Sequence, residues 1–441
     1  MKREDTAPST NSGTPQFGRT HLLRTHPLRY VVVMVLLLWI TFTATGFRNP
    51  LTPIIVSDEN SGAAIRQLLF SSAGLASLAL LFLTRNLETV LTMNRKMLSL
   101  SLLVPASVIW STNPALTAKR SILFLFCLIT LYTITYSSRK PVQQLLQLIV
   151  TSTAFIAFIS IAIHFAFGQA YTVNPVRPGL AGISPHPNTL APILSIGFIL
   201  SLGLTYQSVR SMLMGRIAQA FLAIGHVLTA SMTTLMATFV GCGLFVILES
   251  SRYRRGSIHL LIISIFTLCS LIGWSNIKSG IFQATGKDDS LSGRDELWAA
   301  IIREGSKRPI FGNGFGAFWT EGKGRELVHT WNPRQSHNSY IDLWLDLGFF
   351  GCTIFFAAYL VPLWFRWLSI RGSPGSDQRR AISALYATML SYLLIRGLGE
   401  SFFLALTGFP FMCLTWIILV ITNPDLNCIE NEFAPDAEQL N

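Results

Sequence analysis

From Tyr30 to Ile421 the chain returns repeatedly to apolar runs long enough to enter a lipid bilayer. Inside hydrocarbon no water satisfies a peptide group, so each run must close its hydrogen bonds on itself as a helix. About 20 residues cover the roughly 30 Å core. The runs that fit are Tyr30–Phe47, Leu68–Leu83, Met97–Trp110, Ser121–Tyr136, Leu145–Phe167 and Leu190–Tyr206. Further along come Ile217–Ala230, Met232–Leu248, Ile258–Trp274, Leu343–Phe365, Ala381–Ile395 and Phe402–Ile421. The expected fold is all-α: a polytopic integral membrane protein with about twelve transmembrane helices and one large loop. Composition agrees, since 13% of the residues are charged against about a quarter in soluble domains.

The net charge of +12 is distributed as a membrane topology distributes it, so no nucleic-acid partner is expected. Lys and Arg collect in alternate connections, as the positive-inside rule demands. Arg85, Arg95 and Lys96, then Arg139 and Lys140, then Arg252, Arg254 and Arg255, then Arg366, Arg371, Arg379 and Arg380 fall on one side. The opposite connections hold few, among them Lys119, Arg120, Arg177 and Arg396. The expectation is a cytoplasmic tail over 1–29, spans one to nine over 30–274, a large outer loop over 275–342, spans ten to twelve over 343–421, and a cytoplasmic tail over 422–441. The first 29 residues lack the compact basic region and cleavage site of a signal peptide. Six cysteines form no C-x-x-C pair, and those within runs read as small packing residues.

The loop carries ordered signals. Ser292 to Asp295 has the spacing of a capping box, and Leu297, Trp298, Ile301 and Ile302 make one stripe of a helix ending near Arg308-Pro309. Gly312, Gly314 and Gly316 then read as a tight turn rather than a nucleotide-binding loop, because no strand–turn–helix surrounds them. Farther on, Ser339 and Asp342 repeat the capping pattern, so a span should start near Tyr340, with His337 and Asn338 at its positive N-terminal mouth. A neutral imidazole there can take a proton from a hydroxyl, or it can simply cap or anchor the helix. His164 and His226 fall inside runs and read as packed. Asp58-Glu59 and Asp288-Asp289 are acidic pairs that read as solvated loop charge rather than metal sites.

These strings together resemble the O-antigen ligase and polysaccharide polymerase superfamily. His337-Asn338 followed by Gly348-x-x-Gly351 looks like its signature. Trp110-Ser111-x-Asn113-Pro114 is similar to its early outer loop, and Gly182-Ile183-Ser184-Pro185-His186-Pro187-Asn188-Thr189-Leu190-Ala191 to its central string. Ser292 to Trp298 followed by Gly312-x-Gly314-Phe315-Gly316 resembles the start of its large periplasmic loop. The overall pattern looks closest to the ExoQ-type exopolysaccharide polymerases.

The resemblance implies a fold of the GT-C type in a bacterial inner membrane, and glycosyl transfer at the periplasmic face from a polyprenyl-diphosphate-linked glycan donor to a hydroxyl acceptor. It implies no cofactor and no metal. His337 would be the general base and Arg294 and Arg177 the cations on the diphosphate, with Asn338, His186 and Asn188 binding substrate. Other polysaccharide assembly proteins, such as a flippase or chain-length regulator, are the implied partners. Where some family ligases carry a basic residue after a mid-chain serine, this chain has Ser231-Met232-Thr233-Thr234. Polymerisation of exopolysaccharide repeat units is the first reading and ligation to a lipid A core or other acceptor the second. A transporter fits less well, because transporters place charge near the midplane on broken helices.

Overall fold

The computed structural model describes residues 35, 63–83, 95–137, 141–168, 179–204, 208–249, 294–320, 322–328, 332–372, 377–405 and 408–422. Their regular structure is helical throughout, without a strand. The described helices are α1 (Ala63–Leu83), α2 (Arg95–Ala106), α3 (Pro114–Ser137), α4 (Pro141–Phe167), α5 (Pro187–Ser201), α6 (Val209–Leu228) and α7 (Met232–Glu249). After them come α8 (Arg294–Gly305), α9 (Lys323–Leu327), α10 (Ser339–Gly372), α11 (Asp377–Gly397) and α12 (Phe409–Thr422). The expected run Ile258–Trp274 lies outside the described residues, and of Tyr30–Phe47 only Val35 lies within them.

Three helices begin on proline, at Pro114, Pro141 and Pro187. The first turn has no use for the missing N–H, and the ring presets φ. Inside α3 the hydroxyls of Thr130, Thr133 and Thr135 donate to carbonyls four residues back, so these buried polar groups need no partner across the bundle.

Four helices contain stretches long and apolar enough to cross a membrane: Pro114–Thr135, Leu146–Phe167, Val209–Leu228 and Ser339–Pro362. Shorter apolar helices include Pro187–Ser201, Met232–Phe245 and Phe409–Leu419. The last differs from expectation. The run Phe402–Ile421 divides, with 402–405 forming a turn and the helix starting at Phe409. Apolarity alone could not separate the two, because Phe402 and Phe403 are buried in the turn as deeply as Phe411 is in the helix.

Within the bundle α1 lies along α3, α6 against α4 and α5, α7 along α11, and α10 against α2 and α12. Phe124, Phe355, Tyr359, Tyr392 and Phe411 are its largest fully enclosed side chains. By contrast α6 exposes Val209, Leu213, Met214, Ile224 and Val227. Water would penalise such a face and lipid would not. A second, smaller core joins Leu297, Ile301, Phe318, Val328 and Leu345, flanked by Trp298, Trp319 and Trp344. It fastens the segment 294–328 onto the start of α10. Of the expected stripe, Leu297 and Ile301 are buried, while Ile302 is exposed.

Gly348 interrupts α10 with φ 64° and ψ −172°, a region open essentially to glycine alone. The turn after α8 repairs the break. Phe349 and Phe350 N–H groups donate to Pro309 and Ile310 carbonyls at 2.9 and 3.0 Å, while Asn313 and Gly314 N–H groups donate to Leu345 and Asp346 carbonyls at 2.8 and 2.9 Å. The early motif holds the same turn from the other side. Trp110 Nε1–H donates to Phe311 O at 2.8 Å, Thr112 N–H to Asn313 O at 2.8 Å, and Arg120 to Gly316 O. Three of the four recognised motifs thus meet as scaffold, the early motif and the Gly348 break both bonded to the Gly312–Gly316 turn.

Candidate active site

His337 sits one residue before the cap of α10. Asn338 Oδ1 accepts from the N–H groups of Tyr340 and Ile341 at 2.9 and 3.2 Å, so Asn338 is the capping residue. The expected Ser339–Asp342 capping box is not what forms. Ser339 Oγ donates instead to Glu400 O at 2.7 Å and accepts Phe402 N–H at 2.9 Å. Asp342 reaches back, accepting Ser336 N–H at 3.1 Å and Trp319 Nε1–H at 2.9 Å. Ser336 Oγ donates to Asn338 O at 2.7 Å and accepts Asn338 N–H at 3.0 Å. Trp298 Nε1–H closes the strap on Ser336 O at 2.8 Å. Held on both sides, His337 takes φ 56°, a left-handed conformation that non-glycine residues adopt at a cost and that gathers at functional sites.

The groups brought to His337 converge on Glu400, in the loop between α11 and α12. Its Oε2 lies 3.5 Å from His337 Nδ1. Oε1 accepts Asn188 Nδ2–H at 2.9 Å and stands 3.6 Å from Arg294 Nη2. Arg294 Nη1–H also donates to Gly399 O at 2.7 Å, and Asn338 Nδ2–H to Leu398 O at 3.3 Å. Burial raises the Glu400 pKa, but the His337 hydrogen bond and the positive charges of Arg396 and Arg294 outweigh it, leaving the carboxyl below its ordinary 4.5. The group is therefore an anion enclosed by cationic and N–H donors, the condition under which a buried charge is tolerated.

Asn188 is oriented from behind. Its Oδ1 accepts from Ser231 Oγ at 3.1 Å, and Ser231 Oγ shares a second hydrogen bond with Thr234 at 3.1 Å. His186 is the N-cap of α5, its Nδ1 accepting Asn188 N–H at 3.1 Å. It thus bears on the site through Asn188. Gly182, in the same string, turns at φ 58° where a Cβ would strike Ser160 Oγ.

Five of the six sequence-nominated residues, His337, Arg294, Asn338, Asn188 and His186, therefore gather around one loop. Arg177 lies outside the described residues, as do Asp58, Glu59, Asp288 and Asp289. Among the described residues no three His, Cys, Asp or Glu side chains are grouped to hold a metal. Sequence reasoning missed Glu400 altogether and took Arg396 for ordinary loop charge. Their one signal was a pair of opposite charges, Arg396-Gly-Leu-Gly-Glu400, lodged between two apolar runs.

Residues 217–356 match the family model described as O-antigen ligase. The match takes in α7, Arg294, the glycine turn, His337, Asn338 and the break at Gly348, and leaves Asn188, Arg396 and Glu400 outside it. No curated protein matches the chain.

Proposed function

We propose, from the match of residues 217–356 to the O-antigen ligase family model, that the protein polymerises polyprenyl-diphosphate-linked oligosaccharide repeat units into exopolysaccharide at the periplasmic face of an inner membrane. The family supports a membrane protein acting on lipid-linked glycan. The observation that carries the chemistry is the pairing of His337 with a buried carboxylate beside Arg294.

In this reading Glu400 holds His337 by Nδ1, which makes Nε2 the atom that accepts the proton of the acceptor hydroxyl. The pairing also stabilises the imidazolium that results, the part a carboxylate plays behind histidine in hydrolase triads. As the hydroxyl oxygen bonds to the anomeric carbon, the bond from that carbon to the phosphate oxygen breaks. The polyprenyl diphosphate departs with the electron pair, and Arg294, with Arg177, meets its growing charge. Asn188, set by Ser231 and His186, supports the carboxylate. Asn338 fixes the helix mouth.

The family description itself favours a second reading, ligation of a finished glycan to an acceptor. One experiment separates the two. Cells lacking the protein should accumulate single repeat units on the lipid carrier and no high-mass polysaccharide. Long carrier-linked chains beside an unmodified acceptor would instead make it a ligase. Purified protein given lipid-linked repeat units should build a ladder of polymer in EDTA, because guanidinium groups rather than a metal neutralise the diphosphate. A ladder that forms only with added Mn²⁺ would overturn that assignment.

A further inference from the structure

Arg396 has no role in the mechanism above, yet its placement is difficult to explain without a ligand. It stands in the last turn of α11 with only 4% of its surface exposed. Its Nε and Nη1 are buried and reach no hydrogen-bond partner. Among the described residues no carboxylate lies within ion-pair distance of it. Its contact is with an aromatic face, the Phe402 ring, whose centroid is 5.1 Å from Cζ. A buried guanidinium with idle donors is an arrangement proteins avoid, because desolvation is left uncompensated.

The position of Arg396 relative to the site suggests what completes it. Side-chain exposure falls from 18% at His337 to 11% at Arg294 and 6% at Glu400. Arg396 is one turn of chain before Glu400, whose N–H donates to Arg396 O at 3.1 Å. Two arginines therefore act on one carboxylate, and that carboxylate is already engaged by Arg294, Asn188 and His337. This buried cluster holds more positive than negative charge. An incoming anion with hydrogen-bond-accepting oxygens would satisfy both idle donors and the charge.

We infer that Arg396 forms the floor of an anion subsite in this cluster, one that receives a phosphate oxygen of a lipid diphosphate. The inference rests on the donor assigned under the proposed function, and it adds a cation that the sequence motifs do not include. Phe402 keeps the guanidinium dry and in place until the anion arrives.

The test uses the full-length protein in lipid nanodiscs, with four probes: polyprenyl diphosphate, polyprenyl monophosphate, inorganic pyrophosphate and neutral polyprenol. Affinity and melting temperature are read for wild type, Arg396→Met and Arg396→Lys. Wild type should bind the diphosphate lipid and be stabilised by it, with no effect of polyprenol. Arg396→Met should weaken that binding by roughly 30-fold or more, the loss expected when one partner of a buried charge pair is truncated. Without lipid the same variant should melt at or above the wild-type temperature, because a buried guanidinium with two idle donors has gone while Arg294, Asn188 and His337 still hold Glu400. Arg396→Lys should lose part of the affinity, and it carries the test if the methionine variant does not insert.

Equal affinity for the diphosphate lipid in wild type and variants would overturn the subsite. So would a ligand-free melting point that falls in Arg396→Met with affinity unchanged, which marks a purely structural arginine. Pyrophosphate that binds wild type as tightly as the lipid does, and loses that affinity in Arg396→Met, would assign a free anion instead of a lipid. Wild-type protein that ignores the diphosphate lipid would fail earlier, at the donor assignment itself.

Discussion

His337 and Glu400 are 63 positions apart in the chain and 3.5 Å apart in space, and in the proposed mechanism the pair divides the chemistry between a base and the group that orients it. His337→Ala should abolish visible polymer, since a general base contributes about 10²–10⁴-fold. His337→Gln should be equally inactive, because an amide keeps a hydrogen bond but takes no proton. Gel analysis of polymer from cells with matched protein levels reads both. Activity retained in the glutamine variant would make His337 a structural residue. Arg294→Ala should cost roughly 10²–10³-fold, as loss of a donor aimed at developing charge does.

Glu400→Gln tests stability as well as rate. Because the Glu400 pKa is lowered on folding, its contribution is present above the ordinary carboxylate range and disappears as pH falls through the folded value. The variant should melt below wild type at pH 7, with a loss of about 1.5–3 kcal/mol, the range for hydrogen bonds to a charged group. The two melting curves should converge as the pH drops below 4.5. A gap that persists unchanged in acid would mean the carboxylate is not the stabilising species.

Among the helices, α10 shows how a motif that looks catalytic can be architectural. Gly348 was recognised at its fixed distance from His337-Asn338, and its work is to let a helix stop while the Pro309–Gly316 turn occupies the gap. A methyl group at Gly348 would meet Ile310 O at 2.1 Å in a backbone region closed to side chains. Gly348→Ala should therefore cost more than the ~1–3 kcal/mol typical of such strain, and should lose activity with it. Gly243, exposed on α7 with nothing within 4 Å, is the matched control. Its alanine variant should melt level with wild type or above it, since alanine suits a helix interior better. Nanodisc melting compares the two.

The legibility of the sequence follows from the same division. Apart from α8, read from its capping spacing and apolar stripe, and the short α9, which no sequence signal marked, each described helix between Leu68 and Ile395 overlaps an apolar run, because lipid demands one helix per run. The strap on His337 could not be placed, because Asp342 serves Ser336 and Trp319 through contacts that no spacing rule contains. Glu400 was invisible for the same reason. Its partners Asn188, Arg294 and His337 come from three distant segments, and a single acidic residue after an apolar run looks like any loop charge. Ser231 was singled out only for the basic residue it lacks, and the fold uses it to turn Asn188.

For the whole molecule, the proposal places the loop containing Gly322 outside the cell membrane and the connection near Ser376 inside. A reporter active only in the periplasm should work when fused at the first position and fail at the second, following the Arg366–Arg380 cluster and the positive-inside rule. Activity at Ser376 would put His337 on the wrong side for a periplasmic reaction.

The stitched break in α10 also separates two kinds of sequence change. The stub Ser339–Leu347 is bonded by its backbone to the Pro309–Gly316 turn, so it behaves as part of that turn rather than of the long helix that follows. A residue inserted beyond the break, between Phe356 and Pro362, would rotate the lower helix by about 100° and disturb its packing, but His337 would keep its distance from Glu400. The same insertion between Asn338 and Gly348 would shift every backbone bond that joins stub to turn. Changes beyond the break are therefore felt in bundle packing rather than at His337, while the nine residues that follow Asn338 have almost no freedom to lengthen or shorten.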